Sequence, residues 1–289
     1  DTLNSALECG IDFLDTANVY GMGVSETMIG NYIKSNGNPF VIATKASISR
    51  NSETNERTFD NSAVHLEKEL NKSLERLCVD YVDLFYIHRR DQRVPIEDVM
   101  ETLLKFKQDG KIGGIGFSEI SPSSLRRASE VGLVDAVQSE YSLWTRSAEL
   151  GLIQTCKELG VSFIPFSPLG RGVFSKKTPD LTTFGNLDFR KNNPRFLQPN
   201  FNQNLKLLTP FKQFCDELRI SPSTIAVAWA LKQANHILPI PGTRSRNHLI
   251  ELALGSEFEL TQDISDQINR LLPIGSVSYT HLRAHETIP

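Results

Sequence analysis

FLDTANVYG, residues 13–21, joins the end of a short apolar strand, Ile11 to Leu14, to a polar loop. The strand delivers a carboxylate, Asp15, and the loop then delivers a phenol, Tyr20, followed at once by Gly21. The same junction recurs along the chain. Phe40 to Thr44 reads as a buried strand ending in Lys45, Val82 to Ile87 ends in His88, and Ile112 to Phe117 ends in Ser118. Asp135 to Val137 ends in Gln138, Val161 to Pro165 leads to Ser167, and Ile237 to Ile240 reads as the last strand.

Amphipathic helices fill the gaps between these strands. Leu3 to Cys9 is closed by Gly10, and a helix capped by Ser25 puts Ile29, Tyr32 and Ile33 on one face. Ser62 to Leu77 places Ala63, Leu66, Leu70, Leu74 and Leu77 at helical spacing. Pro95 opens a helix that Gly110 closes, and Ser121 with Pro122 starts the next. The spacing also predicts helices over Ser147 to Leu159, from Thr209 and Pro210 through Arg219, and from Ser221 and Pro222 through Ala234. Asn247 to Leu254 and Asp263 to Leu272 follow.

Strict alternation of short buried strands with such helices predicts an α/β fold with a parallel sheet and helices outside it. Polar, reactive residues just past the C-terminal ends of strands point to a (β/α)8 TIM barrel. Seven strands are legible where a closed barrel needs eight, and a helix comes first, so the first strand is expected to be missing from this sequence. A doubly wound open sheet is the alternative, but its usual GxGxxG turn is absent: Glu119 follows Gly114 and Gly116 where the third glycine should stand.

From Pro168 to about Asn204 the chain is polar and rich in Gly, Pro, Asn and Lys, a length that suggests an active-site loop. No repeat, composition shift or linker divides residues 1–276, which read as one domain. Val277 to Pro289, carrying His281 and His285, resembles one reading frame of a transposase-type sequencing adapter and is expected to be a non-native tail.

A chain of 289 residues can bury a sizeable core, and its net charge of −3, with both signs mixed, does not suggest nucleic acid or a membrane surface as partner. No apolar run is long enough to span a bilayer, and no signal peptide is evident. Cys9, Cys78, Cys156 and Cys215 lie far apart without zinc-binding spacing, and read as buried thiols of a reducing cytoplasm. No metal site is expected.

A phenol is a poor acid near neutral pH, its ordinary pKa being about 10. Releasing a proton in catalysis requires a cation nearby, and the cation requires an anion to hold it. On a barrel's C-terminal rim neighbouring strand ends converge, so Asp15, Tyr20, Lys45 and His88 can meet in one pocket. Lys45 is then the cation beside Tyr20, Asp15 its counter-ion, and His88 a donor to a substrate carbonyl oxygen. Each residue alone has a blander reading: a turn cap, a packing phenol, a solvated lysine, a structural histidine. Four in the right order on strand ends make the joint coincidence much rarer.

DTANVYG (15–21), VIATK (41–45), LFYIHRRD (84–91), GIGFSE (114–119), QSEYSLW (138–144), PFSPLGRG (165–172) and PIPGTR (239–244), in this order, resemble the aldo-keto reductase superfamily from about residue 2 to 276. The resemblance implies a (β/α)8 barrel that binds NADPH (NADP+) in extended form and reduces aldehydes or ketones, with Tyr20 as general acid and Asp15, Lys45 and His88 completing a catalytic tetrad.

Cofactor contacts follow from the resemblance and from chemistry together. Ser118, Glu119 and Gln138 are candidates to hold the nicotinamide carboxamide, and Phe166 to stack on the ring. Ser167, Pro168, Leu169, Gly170, Arg171 and Gly172 form a turn whose backbone N–H groups and guanidinium suit the pyrophosphate. Gly242, Thr243 and Arg244 approach a helix N-terminus, Arg244 being the candidate for the 2′-phosphate, with His248 and Glu251 near the adenosine end. Glu119, Phe166, His248 and Leu252 depart from the family's commoner residues, and the last two bear on the preference for NADPH over NADH.

The substrate implied is a small or medium carbonyl compound, with Val19, Arg89 and Trp144 as candidate pocket walls, Trp144 reading equally well as a core residue. Two other readings stand beside this one. One is an NADPH-binding barrel acting as a sensor or as an auxiliary subunit of a membrane channel. The other is an inactive gene fragment, whose unpaired edges beside Ile11 to Leu14 and Ile237 to Ile240 invite aggregation.

Overall fold

Local burial patterns in the chain become a regular alternation in the structure, a computed structural model that describes residues 2–50, 56–186 and 188–278. His281, His285 and most of the suspected tail lie outside the described residues. In chain order come helix α1 (Thr2–Glu8), strand β1 (Phe13–Asp15), a 3-10 turn (Tyr20–Gly23), α2 (Val24–Asn36) and β2 (Val41–Ala46). The short strands β3 (Ile48–Arg50) and β4 (Arg57–Phe59) follow, then α3 (Ala63–Leu77), β5 (Val82–Ile87), α4 (Ile96–Gln108) and β6 (Ile112–Ser118). Next are α5 (Pro122–Val131), β7 (Ala136–Glu140), α6 (Leu152–Leu159) and β8 (Ser162–Phe166). The chain continues with α7 (Asn200–Glu217), α8 (Pro222–Lys232), α9 (Arg246–Glu257) and α10 (Gln262–Leu271).

Six strands form one sheet in the order β1-β2-β5-β6-β7-β8. The registers from β1 to β7 are parallel: Asp15 pairs with Ala43, Lys45 with Tyr86, and Ser118 with Gln138. Parallel pairing brings all the C-terminal strand ends to one edge of the sheet, which is how residues far apart in sequence become neighbours. Gly10–Ser139 and Gly151–Ile164 cluster as one compact unit, with β1 to β6 and α2 to α6. The second unit takes residues 2–9, Glu140–Leu150 and 165–278, with α1 and α7 to α10; β7 and β8 run from the first unit into the second.

In the first unit α3 shows how the sequence dictates an element. Ser62 caps it by accepting from the N–H of His65 at 3.3 Å, and Leu66, Leu70, Leu74 and Leu77 are buried along one face. Helix α2 packs on α3 through Gly30, where a Cβ would lie 2.1 Å from the carbonyl oxygen of Arg76. Only a residue without a side chain permits that approach of two backbones. In the second unit Tyr141 packs on Trp229 with ring centroids 5.1 Å apart, and Trp144 stacks on Phe196 at 6.1 Å. Trp144 is buried in this aromatic cluster and, with Leu143 and Phe174, lines a small apolar cavity.

Several expectations need correction. Ile237 to Ile240 does not form a strand; Ile240 makes an isolated parallel bridge to Phe166, since Pro239 and Pro241 on either side lack the N–H a ladder requires. Helix α7 begins at Asn200, ten residues before Pro210, and runs through it, because Phe201, Leu208, Phe211 and Cys215 bury one continuous face. Thr209 therefore caps nothing and donates to Leu205 O at 3.0 Å. The stretch before α7 is not plain loop: 3-10 turns at Leu181–Thr183, Phe189–Asn192 and Pro194–Phe196 are capped by Asp180, Asp188 and Asn193.

The helix expected over Ser147 to Leu159 breaks at Gly151, where φ is 139°. Ser25 lies inside α2, which Gly23 precedes, and its hydroxyl accepts from Thr16 at 2.8 Å. The antiparallel pair β3 and β4 has no counterpart in the sequence reading, because three-residue strands are too short to show a period. Cys156 and Cys215 are buried, and burial pushes both thiols up to about 12. Cys78 is exposed at the end of α3 and Cys9 half-buried, so the reading of four buried thiols holds for two. Among the described residues no helix is long and apolar enough to cross a membrane.

Candidate active site

Asp15 is the last residue of β1, Lys45 the second-last of β2, and His88 the first after β5. The His88 N–H continues the ladder by donating to Ala46 O at 2.8 Å. Lys45 is fully buried, and its ammonium donates to Asp15 Oδ1 and, at 2.7 Å, to the carbonyl of Thr16. A buried ammonium is costly unless paired and hydrogen-bonded, and those two oxygens offset the cost. Lys45 Nζ lies 5.3 Å from the centroid of the Tyr20 ring and 5.5 Å from that of Tyr86. Tyr20 and His88 meet edge to face, centroids 5.8 Å apart at 81°. Four residues from four segments thus cluster together, with Tyr20 still 41% exposed.

The imidazole of His88 is held neutral. Burial first, then the cations of Lys45, Arg89 and Arg57, drive its pKa well below 6.5. Its Nδ1 is buried without a partner. A neutral imidazole beside an accessible phenol can donate one N–H to an oxygen atom without carrying charge.

Gln138 donates from Nε2 to Asp15 Oδ2 at 2.8 Å, so both carboxylate oxygens of Asp15 are engaged. Ser118 accepts at Oγ from Arg89 at 2.9 Å, and the same guanidinium nitrogen donates to His88 O at 2.6 Å. Glu119, in the left-handed region at φ 55°, accepts from Ser139 Oγ at 2.8 Å. Ser118, Glu119 and Gln138 thus lie on or just after neighbouring strands, with Gln138 bracing Asp15 and Arg89 linking Ser118 to the backbone of His88. Arg89 was legible only as a pocket wall; its role beneath Ser118 depends on a bond spanning 29 residues.

The second unit holds the other candidates. Phe166 ends β8, and its bridge to Ile240 sets the turn that begins at Ser167 beside the segment leading to Gly242, Thr243 and Arg244. Ser167, Gly170, Arg171 and Gly172 all have positive φ. The N–H groups of Gly170 and Gly172 are used within the turn, on Ser167 O and Leu169 O, and Pro168 has none. The turn's own bonds leave the N–H groups of Leu169 and Arg171.

The Arg171 guanidinium donates to Glu140 Oε2 at 2.8 Å and lies 4.8 Å over the Phe189 ring. Glu140 also binds Arg195 at 2.8 Å, so one carboxylate serves two guanidinium groups and a positive charge is left in surplus. Burial raises the pKa of Glu140, but Arg195 and Arg171 outweigh it and the net direction is down. Arg244 and His248 are exposed near the start of α9, which Ser245 caps through the N–H of His248. Glu251 pairs with Lys176 at 3.3 Å and accepts from Ser223 at 3.4 Å. Among the described residues no group of three or more His, Cys, Asp or Glu side chains could hold a metal ion.

Comparison with known proteins places this geometry. The model of the "Aldo/keto reductase family" matches residues 1–273. "Aldo-keto reductase yakc [NADP(+)]" of Schizosaccharomyces pombe is 39% identical over 256 residues, covering 86% of this chain and 75% of that protein. "Probable aldo-keto reductase 1" of Glycine max is 35% identical over 276 residues, covering 94% and 79%. The structure of the glycerol dehydrogenase AKR11B4 from Gluconobacter oxydans superposes with a TM-score of 0.86 at 29% identity, covering 94% of this chain and 84% of that one. The fold class is α/β, of the (β/α)8 barrel type that the alternation of elements predicts. With a family model spanning nearly the whole chain and relatives above one-third identity, the chain belongs to the aldo/keto reductase family.

Proposed function

We propose that this protein is an NADPH-dependent oxidoreductase that reduces small aldehydes or ketones to alcohols, with Tyr20 as the proton donor. The observation that carries the reading is the buried Lys45 ammonium, paired with Asp15 and 5.3 Å from the centre of the Tyr20 ring, with neutral His88 edge to face with that ring. A cation beside a phenol favours the phenolate that forms when the proton leaves, and Asp15 keeps the cation in place. His88 donates to the substrate oxygen and orients the carbonyl, while the Tyr20 hydroxyl supplies the proton that oxygen takes up.

NADPH suits the second unit's residues. Its two anionic regions match a turn of four left-handed residues next to a surplus guanidinium, and the exposed Arg244 ahead of a capped helix. When bound, the nicotinamide supplies the hydride. Leu169 and Arg171 hold the pyrophosphate, Arg244 the 2′-phosphate, and Ser118, Glu119 and Gln138 the carboxamide. The NADP(+) in the name of the fission-yeast relative favours the same cofactor.

The test is NADPH consumption with an activated aldehyde such as a nitrobenzaldehyde. Tyr20→Phe is expected to lower the turnover by about 10²-fold or more with NADPH affinity unchanged. Unchanged turnover removes Tyr20 from the acid role. Tight NADPH binding with no turnover across a carbonyl panel replaces the enzyme reading with a binding one.

A further inference from the structure

The turn that carries Tyr20 has an unfavourable backbone. Gly21, Met22 and Gly23 take φ values of 59°, 55° and 95°, and Met22 is a side-chain-bearing residue in the left-handed region. The two glycines take these angles freely, whereas Met22 does so at a cost that its surroundings must offset. The surroundings here are one face of α3.

Glu69 and Arg76 stand seven positions apart on α3, two helical turns, and so project from the same side. Upstream of Tyr20, Asn18 Nδ2 donates to Glu69 Oε2 at 2.9 Å, and Glu69 is steadied by Lys72 at 2.9 Å. The Asn18 N–H donates to Lys45 O at 3.1 Å, so the residue that Glu69 grips also lies on the strand bearing the ammonium. Downstream, Arg76 runs beneath Gly23: a Cβ there would lie 2.8 Å from Arg76 Cδ. Arg76 Nε donates at 2.7 Å to Glu26, a fully buried carboxylate of α2 whose other oxygen accepts from Thr44, the neighbour of Lys45.

We infer that α3 sets the Tyr20 phenol against Lys45, with Glu69 gripping the turn through Asn18 before Tyr20 and Arg76 closing it under Gly23 after Tyr20. Glu69 and Arg76 are positioning residues: neither is needed to touch substrate or cofactor. The inference rests on Tyr20 being the proton donor.

Four variants of the full chain test it with NADPH and a nitrobenzaldehyde. E69L removes the acceptor for Asn18, and E69Q keeps one. R76M removes the cation under Gly23; because it strands the buried Glu26, the double variant E26Q/R76M is measured beside it. E69L and the double variant are expected to lower kcat about tenfold while KM for NADPH stays within about twofold, as a displaced donor costs rate and not cofactor binding. Their pH–kcat profiles are expected to shift, because Tyr20 lies against the Lys45 ammonium, itself bonded to Asp15, and against the His88 ring. E69Q is expected to restore most of kcat and the parent profile.

A lowered melting temperature with unchanged kcat and pH profile overturns the inference and leaves α3 a scaffold. Failure of E69Q to rescue E69L overturns the Asn18 grip. Tyr20→Phe is run in parallel: if it kills turnover while the α3 variants do nothing, only this inference falls, and if it retains turnover the acid reading falls with it.

Discussion

Lys45 and His88 divide the electrostatics of the pocket between them. The ammonium is held between Asp15 and the Thr16 carbonyl, and after burial its charge is one reason the imidazole next door stays neutral. A neutral His88 has a consequence for stability. Since its folded pKa is depressed below the ordinary 6.5, the unfolded chain takes up a proton that the folded chain refuses as pH drops through the mid-sixes. Unfolding free energy is therefore expected to fall below about pH 6.5, and urea titrations across that range should show His88→Gln with a flatter limb. An equal slope in both proteins would assign the loss to other groups. Arg244, by contrast, is exposed, and the role proposed for it rests on its charge. Arg244→Ala is expected to weaken NADPH more than NADH; equal losses, measured by titration of both cofactors, would mean the 2′-phosphate is held elsewhere.

At the scale of elements, the contact between α2 and α3 decides where Tyr20 sits. The turn runs directly into α2, and α2 reaches α3 at Gly30, whose missing side chain lets the helices touch. Gly30→Ala would force a methyl against the Arg76 carbonyl, backbone that has little room to give. The expected cost is about 1–3 kcal/mol or more by urea denaturation, with carbonyl reduction falling further than stability alone accounts for, since the turn moves with the helix. A variant with wild-type stability would show that the helices separate at no cost. Helices α3, α5 and α8 were legible in the sequence to within a residue or two at their starts, because Ser62, Ser121 and Ser221 cap them through bonds three residues long. Helix α7 was not, because Pro210 reads as a start signal in isolation and only the buried face from Phe201 to Cys215 overrides it.

At the scale of the whole molecule, ion pairs add to a cluster of buried aromatic rings in holding the described part of the long stretch after Ser167. Glu140, at the end of β7, holds both Arg171 and the nearly buried Arg195, and Arg195 also donates to Thr145. Arg190 follows suit, bound by Asp188 and stacked 4.0 Å over Phe184. Glu140→Gln leaves a buried guanidinium short of its anion, an imbalance worth about 3–5 kcal/mol when a partner is removed outright. Faster proteolytic cutting within residues 176–193 and weaker NADPH binding are expected together. Unchanged cutting and affinity would show that the turns hold that stretch without the carboxylate.

By itself the sequence determined the order of the helices and of the six sheet strands, and the identity of the side chains at or near the strand ends. Both are local properties: burial repeats every two or three to four residues, and a strand must hand its last residue to a loop. The tertiary structure alone decided which partner each polar group takes. Gln138 finds Asp15 across 123 residues, Arg89 finds Ser118, and Arg76 passes under Gly23. Nothing in a linear chain ranks such partners, because the choice depends on distances that exist only after the strands have paired and the surrounding water has been excluded.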